Sequence, residues 1–242
     1  MSDKFWENIS GNNVMTYEGA MQKIGILLGF VVISALFTSA FSLEALHNNN
    51  IELVYLLSIG GAIAGFVLAM IIYIARPKNP APLMIAYAII EGVFIGAMSS
   101  VMEYFYQGIV IQAILGTLAI FISMYFLYVS KVLRPTPTFN KVVISLTMSI
   151  MLLYVISMVI SLVTPYQMPL LHSSSPMGIG LTVFILVVAA LNLIMDFGFI
   201  ERSVQNQTPK VGEWWGAFGM LITLIWIYIE VLRLLMKLRS RN

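Results

Sequence analysis

The sequence predicts an all-α integral membrane protein of seven transmembrane helices, and three observations carry that reading. Sixty per cent of the 242 residues are apolar and only 10% are charged, against about 25% charged in an ordinary soluble domain. The mean hydropathy is +0.92. Seven apolar runs stand between short polar connections. Each is about twenty residues or longer, enough at roughly 1.5 Å per residue to cross a hydrocarbon core about 30 Å thick. Helices are the form such runs take, because an open strand edge in lipid would leave backbone groups unsatisfied.

In chain order, residues 1–23 read as an amino-terminal segment. Met1 to Gln22 is polar, with Asp3, Lys4, Glu7 and Glu18, and lacks the long apolar core of a secretory signal peptide, so targeting falls to the first membrane segment. Residues 24–242 then form a single seven-helix domain, with helices expected near 24–43, 51–75, 83–105, 108–129, 141–164, 177–200 and 214–238. Pro77, Pro80 and Pro82 mark the second connection and Pro135 and Pro137 the fourth, making both short and stiff. Gly61 with Gly65 and Gly92 with Gly96 are four apart, a spacing that lets helix backbones approach closely. The sixteen methionines have no histidine cluster beside them and read as gap-fillers of an apolar core.

Loop charge gives an orientation. Lys4 and Lys23, Arg76 and Lys78, Lys131, Arg134 and Lys141, and Arg202 and Lys210 fall on the amino-terminal and even-numbered connections, and the odd-numbered ones carry no Lys or Arg. The positive-inside rule therefore puts the amino terminus in the cytoplasm. Seven crossings send the tail outside, against the basic run Arg233, Lys237, Arg239 and Arg241. The alternative is a re-entrant last segment.

Several chemistries are excluded. Without cysteine there is no disulfide framework, thiol nucleophile or cysteine metal site. His47 and His172 fall in the first and fifth loops with no serine or aspartate arrangement around them, and read as surface histidines. A phosphate-binding glycine loop is absent, and an aspartyl intramembrane protease would need a second intramembrane aspartate beside Asp196. A net charge of +2 gives no case for nucleic acid. No enzymatic activity and no resident cofactor is expected.

What remains is a set of carboxylates inside the bilayer, where an ionisable group is expensive and is by default a functional hypothesis. Asp196 lies about 6 Å from the near end of the sixth helix, and Glu91 about 12 Å into the third. Glu230 lies about 22 Å beyond Trp215, which with Trp214 suits an interfacial anchor. Glu230 has a competing partner in Arg233, three residues on in the same helix.

Three stretches carry a family resemblance: Asp196-Phe197-Gly198-Phe199-Ile200-Glu201, Glu213-Trp214-Trp215-Gly216-Ala217-Phe218-Gly219, and the run from Trp226 through Glu230 and Arg233 to Leu235. They resemble the carboxy-terminal signature of the Bax-inhibitor-1 family in its bacterial branch. Met15-Thr16-Tyr17-Glu18-Gly19, Glu91-Gly92-Val93-Phe94-Ile95-Gly96 and the segment from Val132 to Phe139 are similar to other parts of that family, so the resemblance covers essentially the whole chain. It implies a seven-helix bundle with the last helix central, in the bacterial cytoplasmic membrane, and a pH-sensitive calcium leak. In the family a pair of aspartates, late in the sixth helix and early in the seventh, shares a proton and closes the pore. Asp196 matches the first; the second falls on Thr223, which cannot ionise. Glu91 is the candidate to stand in for it, and Arg76 is the candidate basic latch on Asp196.

Three functions follow as expectations. One is a proton-gated cation or calcium leak in which Asp196, Glu91 and Glu230 bind the permeating cation transiently, with Arg233 beside the path. Another is a proton-coupled transporter using the same carboxylates. The third is a non-transporting regulator of a membrane protease or a stress response, acting through a membrane protein partner.

Overall fold

A computed structural model describes residues 14–163, 171 and 173–241. Asp3, Lys4, Glu7 and His172 lie outside the described residues. The described residues include seven long helices, α1 (Tyr17–His47), α2 (Ile51–Ala75), α3 (Ala81–Phe105), α4 (Ile109–Val129), α5 (Pro137–Val163), α6 (Pro176–Gln205) and α7 (Gly212–Arg239). All seven are long and apolar enough to cross a bilayer, so the chain is an integral membrane protein.

The helix centres fall where hydropathy puts them, while several ends run further into polar sequence. α1 starts at Tyr17, inside the stretch read as an amino-terminal segment, because Thr16 is its N-cap and accepts from the Gly19 N–H at 2.9 Å. α5 starts at Pro137, where a proline costs no helical hydrogen bond, and the Phe139 N–H bonds the Thr136 hydroxyl at 3.2 Å. His47, expected in a loop, is the last residue of α1. Its Nδ1 lies 2.7 Å from the Leu43 carbonyl and its ring sits edge-on to Tyr104.

By packing, the chain divides into two compact units. One takes in the described residues through Gln107 together with Phe199–Leu221. Here the paired glycines do what their spacing suggests. A Cβ on Gly92 would overlap Ser34 and approach the Val31 carbonyl to 2.5 Å, and one on Gly96 would overlap the Ala35 carbonyl, so α1 and α3 meet nearly backbone to backbone. Gly61 likewise admits Phe94 of α3, at 3.0 Å from where its Cβ would stand. Ser100 lies at the same seam, its hydroxyl 3.0 Å from Ser39 Oγ across it and 2.8 Å from the Gly96 carbonyl of its own helix.

The amino-terminal edge of this unit is tied to the connection before α7. Val14 forms an antiparallel bridge with Pro209, and the Met15 N–H donates to the Thr208 carbonyl at 2.8 Å. Glu213, wholly buried in the first turn of α7, accepts from the backbone and hydroxyl of Thr16 at 3.1 and 3.2 Å and pairs with Lys23 at 3.3 Å. Lys23 also lies over the Trp214 ring, 6.0 Å from its centroid. Trp215 is buried in the protein, so only Trp214 remains as a partly exposed candidate for the interfacial role.

The other unit is Gly108–Gly198 with the residues from Ile222 onward. Ile150, Leu171, Ile185 and Val188 form its core, with Tyr154 and Trp226 packed against them. Asn192 of α6 donates to Thr147 of α5 at 2.9 Å. α7 is continuous over 28 residues, about 42 Å of helix. Beyond its end, Ser240 exchanges a 2.5 Å hydrogen bond with Ser174 of the connection that precedes α6. α7 is thus one uninterrupted helix, long and apolar enough to cross a bilayer.

Candidate intramembrane carboxylate sites

Asp196 sits nine residues before the end of α6, since the helix runs on past Ile200 to Gln205. Its residue surface is half-buried, while its Oδ2 is sealed from the surface and has no hydrogen-bond partner among the described residues. The side chain of Thr223, on α7, hydrogen-bonds the carboxyl. Thus the residue that aligns with the missing second aspartate does meet Asp196, as a neutral hydroxyl. A buried acceptor left bare costs roughly 1–3 kcal/mol, more for a charged group, so this carboxyl is incompletely served.

Glu91 is buried on α3, and the Tyr87 hydroxyl, one turn earlier, hydrogen-bonds it. Gly65 of α2 makes the space, since a Cβ there would stand 2.5 Å from Glu91 Oε1. Tyr87 is itself held edge-on to Phe218, with centroids 5.0 Å apart. Asp196 and Glu91 thus each have a hydroxyl partner inside their own unit. Arg76 is the left-handed C-cap of α2, with φ of 43°, and its guanidinium lies 5.7 Å from the Tyr73 ring of its own helix.

Glu230 is a different case. Only 1% exposed, it accepts from the Tyr154 hydroxyl at 2.6 Å and from Arg233 at 3.2 and 3.4 Å through its two oxygens. Arg233 also donates to the Tyr154 hydroxyl and lies over its ring, 5.1 Å from the centroid. The i,i+3 pair expected from sequence exists, and Tyr154 closes it into a triad that spacing along α7 could not reveal. Lys237, read as part of a basic tail, is also only 1% exposed. Its ammonium donates to the Gly178 carbonyl at 3.0 Å and the Thr182 hydroxyl at 2.9 Å. Two of the four basic residues that argued against an outward tail are therefore held by α5 and α6.

Among the described residues no three acidic or histidine side chains gather as a metal site. Within their unit, the candidate cation ligands Asp196 and Glu230 have different hydrogen-bond partners, Thr223 for one and Tyr154 with Arg233 for the other.

Comparison with known proteins adds one finding. A family model described as Bax inhibitor 1 like matches residues 2–240. Neither the curated proteins nor the solved structures contain a match.

Proposed function

This chain belongs to the Bax inhibitor 1 like family, and from that premise we propose that it is a passive, proton-gated cation leak, with calcium among the permeating ions and Asp196 as the gate. The observation that carries the reading is the setting of Asp196, a carboxyl half-served by Thr223 with its other oxygen bare. When neutral it can stay in this setting. Once ionised, it places a full charge where one hydroxyl is its only described partner, and such a charge is costly until water or a cation reaches it. Loosening of the helices around Asp196 relieves that cost, so opening follows deprotonation and flux rises with pH. Glu91, buried with Tyr87, is the second proton-responsive carboxyl. Arg76 is kept as the basic latch, and the amino terminus is assigned to the cytoplasm from loop charge.

The test is calcium flux in proteoliposomes against pH. The parent should show flux that rises with pH. Asp196→Asn, which cannot ionise, should give a low, flat profile, and Glu91→Gln should weaken the response. Flux from the parent that ignores pH would end the gate reading. No flux from folded protein would end the leak reading and leave the role of a membrane regulator.

A further inference from the structure

Three consecutive residues of α6 address three different parts of the second unit, as the 100° turn per residue of a helix requires. Asp196 meets Thr223 of α7. Phe197 lies among three rings of α4, with centroid distances of 5.7 Å to Phe121, 5.7 Å to Tyr125 and 5.4 Å to Tyr128. Gly198 meets the α4–α5 connection so closely that a Cβ there would overlap Pro135 Cγ. The residue before that proline, Arg134, stacks on Tyr128 with its guanidinium carbon 4.5 Å from the ring centroid. Two routes thus join one short connection to the turn of α6 that carries Asp196: Pro135 onto Gly198, and Arg134 through Tyr128 onto Phe197.

We infer that Pro135 and Tyr128 are positioning residues that fix the rotation of α6 and so aim the Asp196 carboxyl at Thr223. A helix packed through an aromatic cluster on one side and a proline on another resists rotation, because both contacts must be broken together. A rotation of a few tens of degrees would carry Asp196 out of line with Thr223, since hydrogen bonds weaken steeply when misaligned. The inference deepens the gate reading and rests on it for its functional meaning, while the positioning itself is a statement about the carboxyl alone. Other titratable and charged groups on the elements concerned are Tyr125 on α4, Lys131 and Arg134 on the connection, Lys141 and Tyr154 on α5, Glu201 and Arg202 on α6, and Glu213, Tyr228, Glu230, Arg233, Lys237 and Arg239 on α7. Of these, Glu230, Arg233 and Tyr154 are engaged with one another.

The experiment reads Asp196 directly. Full-length protein in lipid vesicles is treated with the membrane-soluble reagent dicyclohexylcarbodiimide across a pH series. The adduct at residue 196 is quantified by mass spectrometry, with Asp196→Asn as the blank. Gly198→Ala should displace the labelling midpoint by about half a pH unit or more. Gly198→Ala combined with Pro135→Ala, which removes the overlapping Cγ, should return it toward the parent. Tyr128→Leu, which introduces no overlap and keeps an apolar side chain, should displace it as well and serves if Gly198→Ala does not fold. Parent-like midpoints in folded Gly198→Ala, or in folded Tyr128→Leu where the alanine variant fails, would overturn the inference. Calcium flux measured on the same vesicles separates the two ideas. A parent without pH-dependent flux but with midpoints that move refutes the gate and keeps the positioning; gated flux with unmoved midpoints does the reverse.

Discussion

Asp196 and Glu230 are the same functional group in the same unit, both within membrane-spanning helices, yet the protein treats them oppositely. Glu230 has a phenol and a guanidinium on its oxygens, and the guanidinium closes the set by bonding the phenol. Asp196 has one threonine hydroxyl and a bare oxygen. On the proposed reading, the number of donors reaching its oxygens, not depth in the membrane, is what separates a structural carboxylate from a responsive one. A saturated carboxylate has its charge compensated in place, whereas an under-served one makes the local structure depend on its proton.

The largest effect should come from crossing this contrast in transport. Asp196→Asn should abolish the pH response of flux, whereas the double variant Glu230→Gln with Arg233→Met should fold and keep it. A folded double variant without conductance would instead put Glu230 on the ion path and break the comparison. Next in size, Glu230→Gln alone strands Arg233 and should cost up to about 3 kcal/mol in detergent-solubilised unfolding. The 30% exposure of the Arg233 side chain holds the figure at the low end. The double variant should recover most of that loss, and a double variant as unstable as the single one would show that the pair is not a unit. The smallest effect belongs to Thr223→Val. It removes one hydrogen bond, about 1–2 kcal/mol at most, and should move the pH midpoint of flux without flattening the profile. A flat profile would mean that Thr223 does more than donate to Asp196.

The spans were legible because twenty apolar residues in a row admit few alternatives. Their ends were less so. Tyr17 to Lys23 reads as polar tail until Thr16 is seen capping it, and Lys237 reads as tail until Gly178 and Thr182 are seen to receive it. Asp196, Glu91 and Glu230 could be found because carboxylates stand out in apolar runs. Their partners divide by distance along the chain. Arg233 follows Glu230 by one helical turn and was expected. Tyr87 precedes Glu91 by one turn and could have been found by the same spacing. Tyr154 is 76 residues from Glu230, and no local pattern points to it. The family resemblance implies an aspartate at the position of Thr223, and only the fold shows that the threonine side chain meets Asp196.

The buried Glu213 has a consequence for biogenesis. Its partners, Thr16 and Lys23, are synthesised well before it, and Glu213 follows the threonine by 197 positions. Until the start of α7 is synthesised, the lysine ammonium has no carboxylate and the threonine amide no acceptor from that helix. The start of α1 thus lacks this anchor until α7 begins. A chain ending before Glu213 would leave the Thr16 amide and the Lys23 ammonium without the buried carboxylate that joins them across the sequence.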